Sequence, residues 1–335
     1  MPDVQVVDDG TVADSGVSDV KPGRAPGRRR MPETIGLLAF LAAEIIYFSI
    51  SSKYFFNWDN WVNIFNAAAV TGTVAAAGTM LIVAGQIDLS VGSGIGFVSV
   101  VLASEAHHSL PGGILLALAA GLGVGAINAL LVTGLGVNAF ISTLGTMSIF
   151  GGLQLVIGGG QDIFVNNFGW ANHRPFLSLP ISVLTFLIFA VAFLLVMRYT
   201  VFGRKIYAIG ANNVAARLVG IRVNRTLAVA FLLSGLCMAV AGLMVTSELG
   251  STSGTTGVGL ELSVVTAVIL GGTSLTGGVG TIQGTIIGLL IVGVLTNGMT
   301  LMNIGSNWQQ VATGGLLVAA VAFDRLRQTT LARRG

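Results

Sequence analysis

The sequence predicts an all-α polytopic membrane protein of about ten transmembrane helices, with both termini in the cytoplasm. Three observations predict it. Only 9% of the 335 residues are charged while 53% are hydrophobic, and the mean hydropathy is +0.84; a soluble globular domain carries roughly 25% charge. The apolar residues fall in long continuous runs, which suit helices crossing about 30 Å of hydrocarbon and not the alternating strands of a β-barrel. The basic residues cluster in three places: fifteen of the 17 Lys and Arg lie in the N-terminal tail, in the segment 198–226, and at the C-terminus.

In chain order, residues 1–33 are polar and contain acids ahead of Arg28-Arg29-Arg30. A signal peptide needs a basic start followed at once by an apolar run, so the reading is a disordered cytoplasmic tail. Its arginines orient the first helix and do not form a nucleic-acid patch. Six helices are predicted next, at 34–50, 62–84, 91–107, 113–133, 139–157 and 179–197. Then comes RYTVFGRKIYAIGANNVAARLVGIRVNR, from Arg198 to Arg225, with six basic residues and no acid. Four more helices are expected at 227–247, 262–274, 281–302 and 308–323, and a tail at 326–335. Basic loops stay in the cytoplasm, so an even number of crossings must separate the three clusters; six and four satisfy this. Lys53, Arg174, His107 and His108 then fall outside. The segment 262–274 is short and runs into GGTSLTGGVG, Gly271 to Gly280, which is compatible with a broken or re-entrant crossing.

The positive-inside rule explains the sign of 198–226 but not its length. Within it, VAARLVGI (Val214 to Ile221) has helical character and apolar residues with no lipid span to bury them. Such a helix either docks on another protein or lies on the inner leaflet.

Forty-seven glycines are about twice the usual share of roughly 7%. Gly92/Gly96, Gly121/Gly125 and Gly284/Gly288 have the small-xxx-small spacing of close helix packing. Acids inside a membrane are costly and point to function: Glu44, Asp88 and Glu261 qualify. Ile87-Asp88-Leu89-Ser90-Val91 parallels Leu260-Glu261-Leu262-Ser263-Val264, and both acids precede a helix start, where they can cap free N–H groups. Five crossings separate them, which places them on opposite membrane faces and raises an inverted repeat. Asn128, Asn138 and Asn297 suit helix–helix hydrogen bonding.

Other classes find little support. None of the three lysines completes a phosphate-binding G-x-x-x-x-G-K-[ST] loop. The three histidines and the single Cys237 make no metal-spaced cluster, and one cysteine excludes an intrachain disulfide. An enzyme is not expected. Energy for transport must come from ions or from a partner chain.

Three blocks carry a resemblance: GQIDLSVGS (Gly85 to Ser93), FGRKIYAIGANNVAARLVGI (Phe202 to Ile221) and ELSVVTAVILGGTSLTGGVGTIQGTIIG (Glu261 to Gly288). With them the chain resembles the permease subunit of bacterial ATP-binding-cassette importers for monosaccharides, the ribose/xylose/arabinose type, over 34–325. The resemblance implies a multi-pass cell-membrane protein working as a dimer of permeases. It also implies a cytosolic ATPase docked on 198–226, and a periplasmic or lipid-anchored binding protein that delivers sugar. It implies no cofactor in this chain, since ATP is hydrolysed by the partner. Ala215-Ala216 and Gly220 are similar to the loose Glu-Ala-Ala-to-Gly coupling motif, although the glutamate is missing. The coupling residues so implied are Arg204, Asn212, Ala215, Ala216, Arg217 and Gly220. The polar groups expected to line or brace the pathway are Asp88, Ser90, Ser93, Glu261, Ser263 and Thr266. The competing reading is a stand-alone transporter or channel coupled to H⁺ or Na⁺, in which Asp88 or Glu261 would titrate.

Overall fold

The computed structural model describes residues 33–332, with side chains from 35 to 322; the expected tail and its arginines lie outside that range. Among the described residues there are twelve α-helices: α1 (Glu33–Ser51), α2 (Trp58–Val83), α3 (Val91–Ala106), α4 (Leu110–Ala129), α5 (Ala139–Gly158), α6 (Ile181–Tyr199), α7 (Val201–Ala211), α8 (Asn213–Leu218), α9 (Val223–Leu249), α10 (Leu260–Leu270), α11 (Ile282–Leu301) and α12 (Ser306–Ala332). A π-turn at Leu130–Gly134 extends α4. A two-residue antiparallel ribbon pairs β1 (Ile163–Phe164) with β2 (Ser251–Thr252), joining the loop after α5 to the end of α9.

Side-chain capping explains several of the starts. Asn57, Ser109, Asn138 and Thr281 each accept a backbone N–H of the turn they open, for α2, α4, α5 and α11. The Asn57 cap lets α2 begin four residues before the predicted 62. Asn138 is therefore a helix cap and not a bridge between helices.

Six helices are long and apolar enough to span a bilayer: α2, α4 with its π-turn, α5, α6, α9 and α11. α2 and α9 are the most enclosed of them and form the centre of the main core with α3, α4 and α10. Outward faces of α4, α5 and α6 expose Leu115, Leu122, Ile149, Val156, Ile188 and Leu195, an apolar surface suited to lipid.

The three small-xxx-small pairs all sit at close approaches. A Cβ on Gly121 or Gly125 of α4 would strike the backbone of α9 at Phe231, Gly235 and Ala239. Gly284 and Gly288 of α11 lie against Gly271 and Ala267 at the end of α10. Gly92 and Gly96 of α3 face Gly257, Thr256 and the side chains of Glu261 and Gln154. With no apolar drive between helices in lipid, such backbone proximity lets dispersion contacts hold the bundle.

Three expectations change. The segment 198–226 is not a loop: Thr200 ends α6 and caps α7, α8 follows Asn212, and α9 starts at Val223 instead of 227. The predicted helix 262–274 shortens to α10, eleven residues; at 1.5 Å per residue it covers about half of a hydrocarbon core. α12 remains helical to Ala332, past the predicted 323.

Candidate functional site

Helix α3 begins inside the bundle, whereas α10 begins at its edge, against the first turn of α3. The chain leaves α2 at Val83, whose carbonyl accepts the Gly278 N–H at 2.8 Å, and runs without helix through 84–90. By Asp88 it has reached the middle of α9, where the Ser234 hydroxyl donates to Asp88 Oδ2 at 2.9 Å. Likewise, 250–259 turns back after α9 and brings Gly257 and the Glu261 carboxylate against Gly92. The expectation that Asp88 and Glu261 lie on opposite faces is thereby overturned. Non-helical stretches precede both short helices, and the Glu261 carboxylate meets α3 at Gly92, one turn past Asp88. Non-helical backbone at such depth is tolerated because protein buries it.

Asp88 is almost fully buried and satisfied by donors. Its Oδ1 accepts the Ser90 N–H at 3.0 Å, the Ser90 hydroxyl at 2.6 Å and the Asn128 amide at 3.4 Å. Asn128 Nδ2 also donates to Ser90 Oγ at 2.8 Å, and its Oδ1 accepts the Thr146 hydroxyl at 2.7 Å. The carboxylate thus ties α4 and α9 to the start of α3, and Asn128 extends the network to α5. A buried polar network of this kind specifies one arrangement when every member is satisfied. Asp88 acts as more than a local cap, since only Ser90 contributes a nearby N–H.

The other expected pathway residues form no single cluster with it. The Ser93 hydroxyl donates back to Ser90 O at 3.1 Å. On α10, Ser263 and Thr266 donate to Gly259 O and Leu262 O, at 3.4 and 2.6 Å, and Glu261 Oε1 accepts the Gly259 N–H at 3.3 Å. The non-helical stretch 250–259 is pinned by buried Gln154, whose amide donates to Ser253 O and Thr256 O at 2.8 and 3.0 Å. Ser234, Thr146 and Gln154 escaped the sequence reading: single polar residues in apolar runs, they look alike whether or not they meet a carboxylate.

At the end of the bundle where α2 finishes, α7 meets the GGTSLTGGVG turn. Gly210 packs on Val83 O and Gly278 N, and the Tyr207 hydroxyl donates to Gly280 O at 2.7 Å. Burial pushes the Tyr207 phenol up, which keeps it a donor. Gly277, Gly278 and Gly280 have φ values of +86°, +77° and +156°, conformations glycine enters at low cost.

The short helix α8 hangs beside this contact. Asn212 Oδ1 caps it by accepting the Ala215 N–H at 3.0 Å. Gly220, at φ +83°, closes it, with Gly220 N–H donating to Arg217 O and Ile221 N–H to Ala216 O, both at 3.0 Å. Arg217 donates to Asn213 and Asn224 at 3.2 Å, and Asn224 donates to Thr133 O at 2.8 Å. Ala216 is the buried residue of the helix, whereas Val214, Leu218 and Val219 are 70%, 83% and 77% exposed. A cleft of about 590 Å³ opens below, bounded by Gln86, Asn138, Asn213, Arg217 and Leu275. Of the expected coupling residues, five lie on or around α8; Arg204 instead lines a separate cleft between α6, α7 and α11. The exposed apolar trio was missed as individual residues, although the apolar pattern of 214–221 pointed to this helix.

Among the described residues no group of His, Cys, Asp or Glu could hold a metal ion.

Residues 60–321 match the family model described as branched-chain amino acid transport system / permease component. The chain is 36% identical over 297 residues to the probable ABC transporter permease protein YphD of Escherichia coli K12, covering 87% of this chain and 89% of that protein. It is 38% identical over 287 residues to the ribose import permease protein RbsC of Bacillus subtilis 168, covering 84% and 89%. To the D-allose transport system permease protein AlsC of E. coli K12 it is 35% identical over 302 residues, covering 88% and 91%. No solved structure matches the chain. The enclosed polar core, the lipid-facing helices and these similarities agree. The chain belongs to the branched-chain amino acid transport system / permease component family, and is a multi-pass membrane permease subunit of an ABC importer, not an enzyme.

Proposed function

We propose that this permease translocates a monosaccharide by alternating access, driven by a separate ATPase docked on α7 and α8. The observation that carries the substrate class is the similarity, over most of the chain, to permeases named for ribose and D-allose. Those names outweigh the amino-acid wording of the broader family description. The transport domain would span 34–325, flanked by cytoplasmic tails at 1–33 and 326–335. α1 to α6 and α9 to α12 would make ten crossings, with α3 and α10 as half-helices completed by 84–90 and 250–259. Both termini and the basic 198–226 segment then face the cytoplasm. The matching order of long helix, re-entrant stretch and short helix in each half supports an inverted repeat.

In this reading the exposed Val214, Leu218 and Val219 are the grip for the ATPase. Motion reaches the bundle through Tyr207 and Gly210, which bear on the 271–281 turn and the end of α2. Asp88, Ser90 and Ser93 brace the pathway from within, and Glu261, Ser263 and Thr266 sit at the re-entrant α10. Asn212, Ala215, Ala216, Arg217 and Gly220 hold the docking helix in shape. The working assembly would include a second permease copy and an extracytoplasmic sugar-binding protein. The chain itself would hold no cofactor.

Proteoliposomes holding the permease, its ATPase and the binding protein test this. ATP-dependent uptake of a pentose or hexose is the expected result. Uptake by the permease alone along an H⁺ or Na⁺ gradient would overturn it in favour of a secondary transporter.

A further inference from the structure

We infer that the cleft between α6, α7 and the start of α11 binds the phosphate headgroup of an anionic phospholipid. The cleft measures about 360 Å³. Arg198, from the last turn of α6, and Arg204, from the first turn of α7, stand over it with Gln283, while Leu194, Met197 and Ile282 supply an apolar wall. Neither guanidinium makes a hydrogen bond or ion pair with a described residue; Arg198 only lies against the Tyr199 ring, 5.5 Å from its centroid. Arg217, in the same basic segment, instead directs two of its donors to Asn213 and Asn224. Two arginines thus offer up to ten N–H donors to an acceptor the protein does not supply, in the fork geometry that suits phosphate. Tyr207 is part of the wall and not a ligand, because its hydroxyl is committed to Gly280 O.

The apolar wall decides between a lipid and a free anion. The exposed Leu187, Ile188, Val191 and Leu195 continue from the cleft along α6, a track for acyl chains beneath a headgroup held at the helix end. Free phosphate would use none of this surface. Basic pockets at the membrane interface recognise anionic headgroups in this manner. The topology proposed above would put this lipid in the inner leaflet, but the headgroup site does not depend on that topology; a detergent assay reads binding on either face.

The test is thermal unfolding and native mass spectrometry of the full chain in neutral detergent. It is titrated with phosphatidylglycerol, with phosphatidylcholine of the same acyl chains, and with inorganic phosphate. Phosphatidylglycerol is expected to raise Tm and stay bound, with the other two giving little. R198Q/R204Q should weaken phosphatidylglycerol binding about thirtyfold, at about 1 kcal/mol per basic residue, while R198K/R204K, which keeps the charge but not the fork, loses only part of it and R225Q none. Equal shifts with both lipids, or an undiminished shift in R198Q/R204Q, would overturn the site. Inorganic phosphate matching phosphatidylglycerol would overturn the lipid assignment. Loss of this binding leaves ATP-driven uptake in liposomes as a separate measurement, so the two readings fail independently.

Discussion

The Ser234 hydroxyl on α9 donates to Asp88 Oδ2 at 2.9 Å, joining residues 146 positions apart in the chain. The bond fastens the non-helical stretch 84–90 to the middle of α9. Ser234→Ala leaves a buried carboxylate oxygen with one donor fewer, at a cost of about 1–3 kcal/mol. Ser90→Ala removes a donor to Asp88 and an acceptor of Asn128 and should cost more. Thermal unfolding in detergent is expected to rank wild type above S234A and S234A above S90A; equal midpoints would mean that Asp88 is not held by this network.

Gly235 meets Gly121 and Gly125 where α4 crosses α9. Gly121→Val is expected to abolish folded protein, since its Cβ would strike the Gly235 carbonyl and Ala239. Gly123→Ala has open space around its Cβ and should be neutral or slightly stabilising, as Ala is the better helix former by about 1 kcal/mol. Yield of monodisperse protein in detergent compares the two.

Asn60 and Asn297 exchange two hydrogen bonds of 3.0 Å between α2 and α11. A double-mutant cycle with alanine should return a coupling energy of about 0.6 kcal/mol, with about 1.7 as the ceiling for such pairs in membranes. A coupling of zero in unfolding assays would show that the unfolded chain satisfies both amides equally well.

Val214→Glu with Leu218→Glu places two charges on the exposed face of α8. Folding should be unaffected, because surface substitutions shift stability by about 0.5 kcal/mol or less. Co-purification with the ATPase and sugar uptake should both be lost. Retention of the ATPase by V214E/L218E would place its docking surface elsewhere.

Tyr207→Phe removes the tie from α7 to Gly280 O without touching α8. The expected outcome is intact ATPase binding with reduced uptake per ATP hydrolysed, measured in proteoliposomes. An unchanged ratio would show that force does not travel through this bond.

The sequence by itself determined that the chain spans a membrane, because runs of apolar residues and scarce charge leave no soluble alternative. It also marked the segment 198–226, since six basic residues without an acid cannot be placed by burial. The small-xxx-small glycines could be read as packing sites, but not matched to partners. Gly121 finding Gly235, and Gly92 finding Glu261, depends on which helices cross.

The tertiary structure alone decided the depth at which helices begin. Residues 84–90 and 250–259 contain nothing apolar enough to announce a membrane position, and they enter the bundle only because surrounding helices satisfy or bury their polar groups. Asp88 looked like a helix cap for the same reason. A cap is local and legible within four residues, whereas donors from Asn128 and Ser234 arrive from other helices. Periodicity and hydropathy report what each segment requires of its solvent. Which backbone stands in for that solvent is settled by packing.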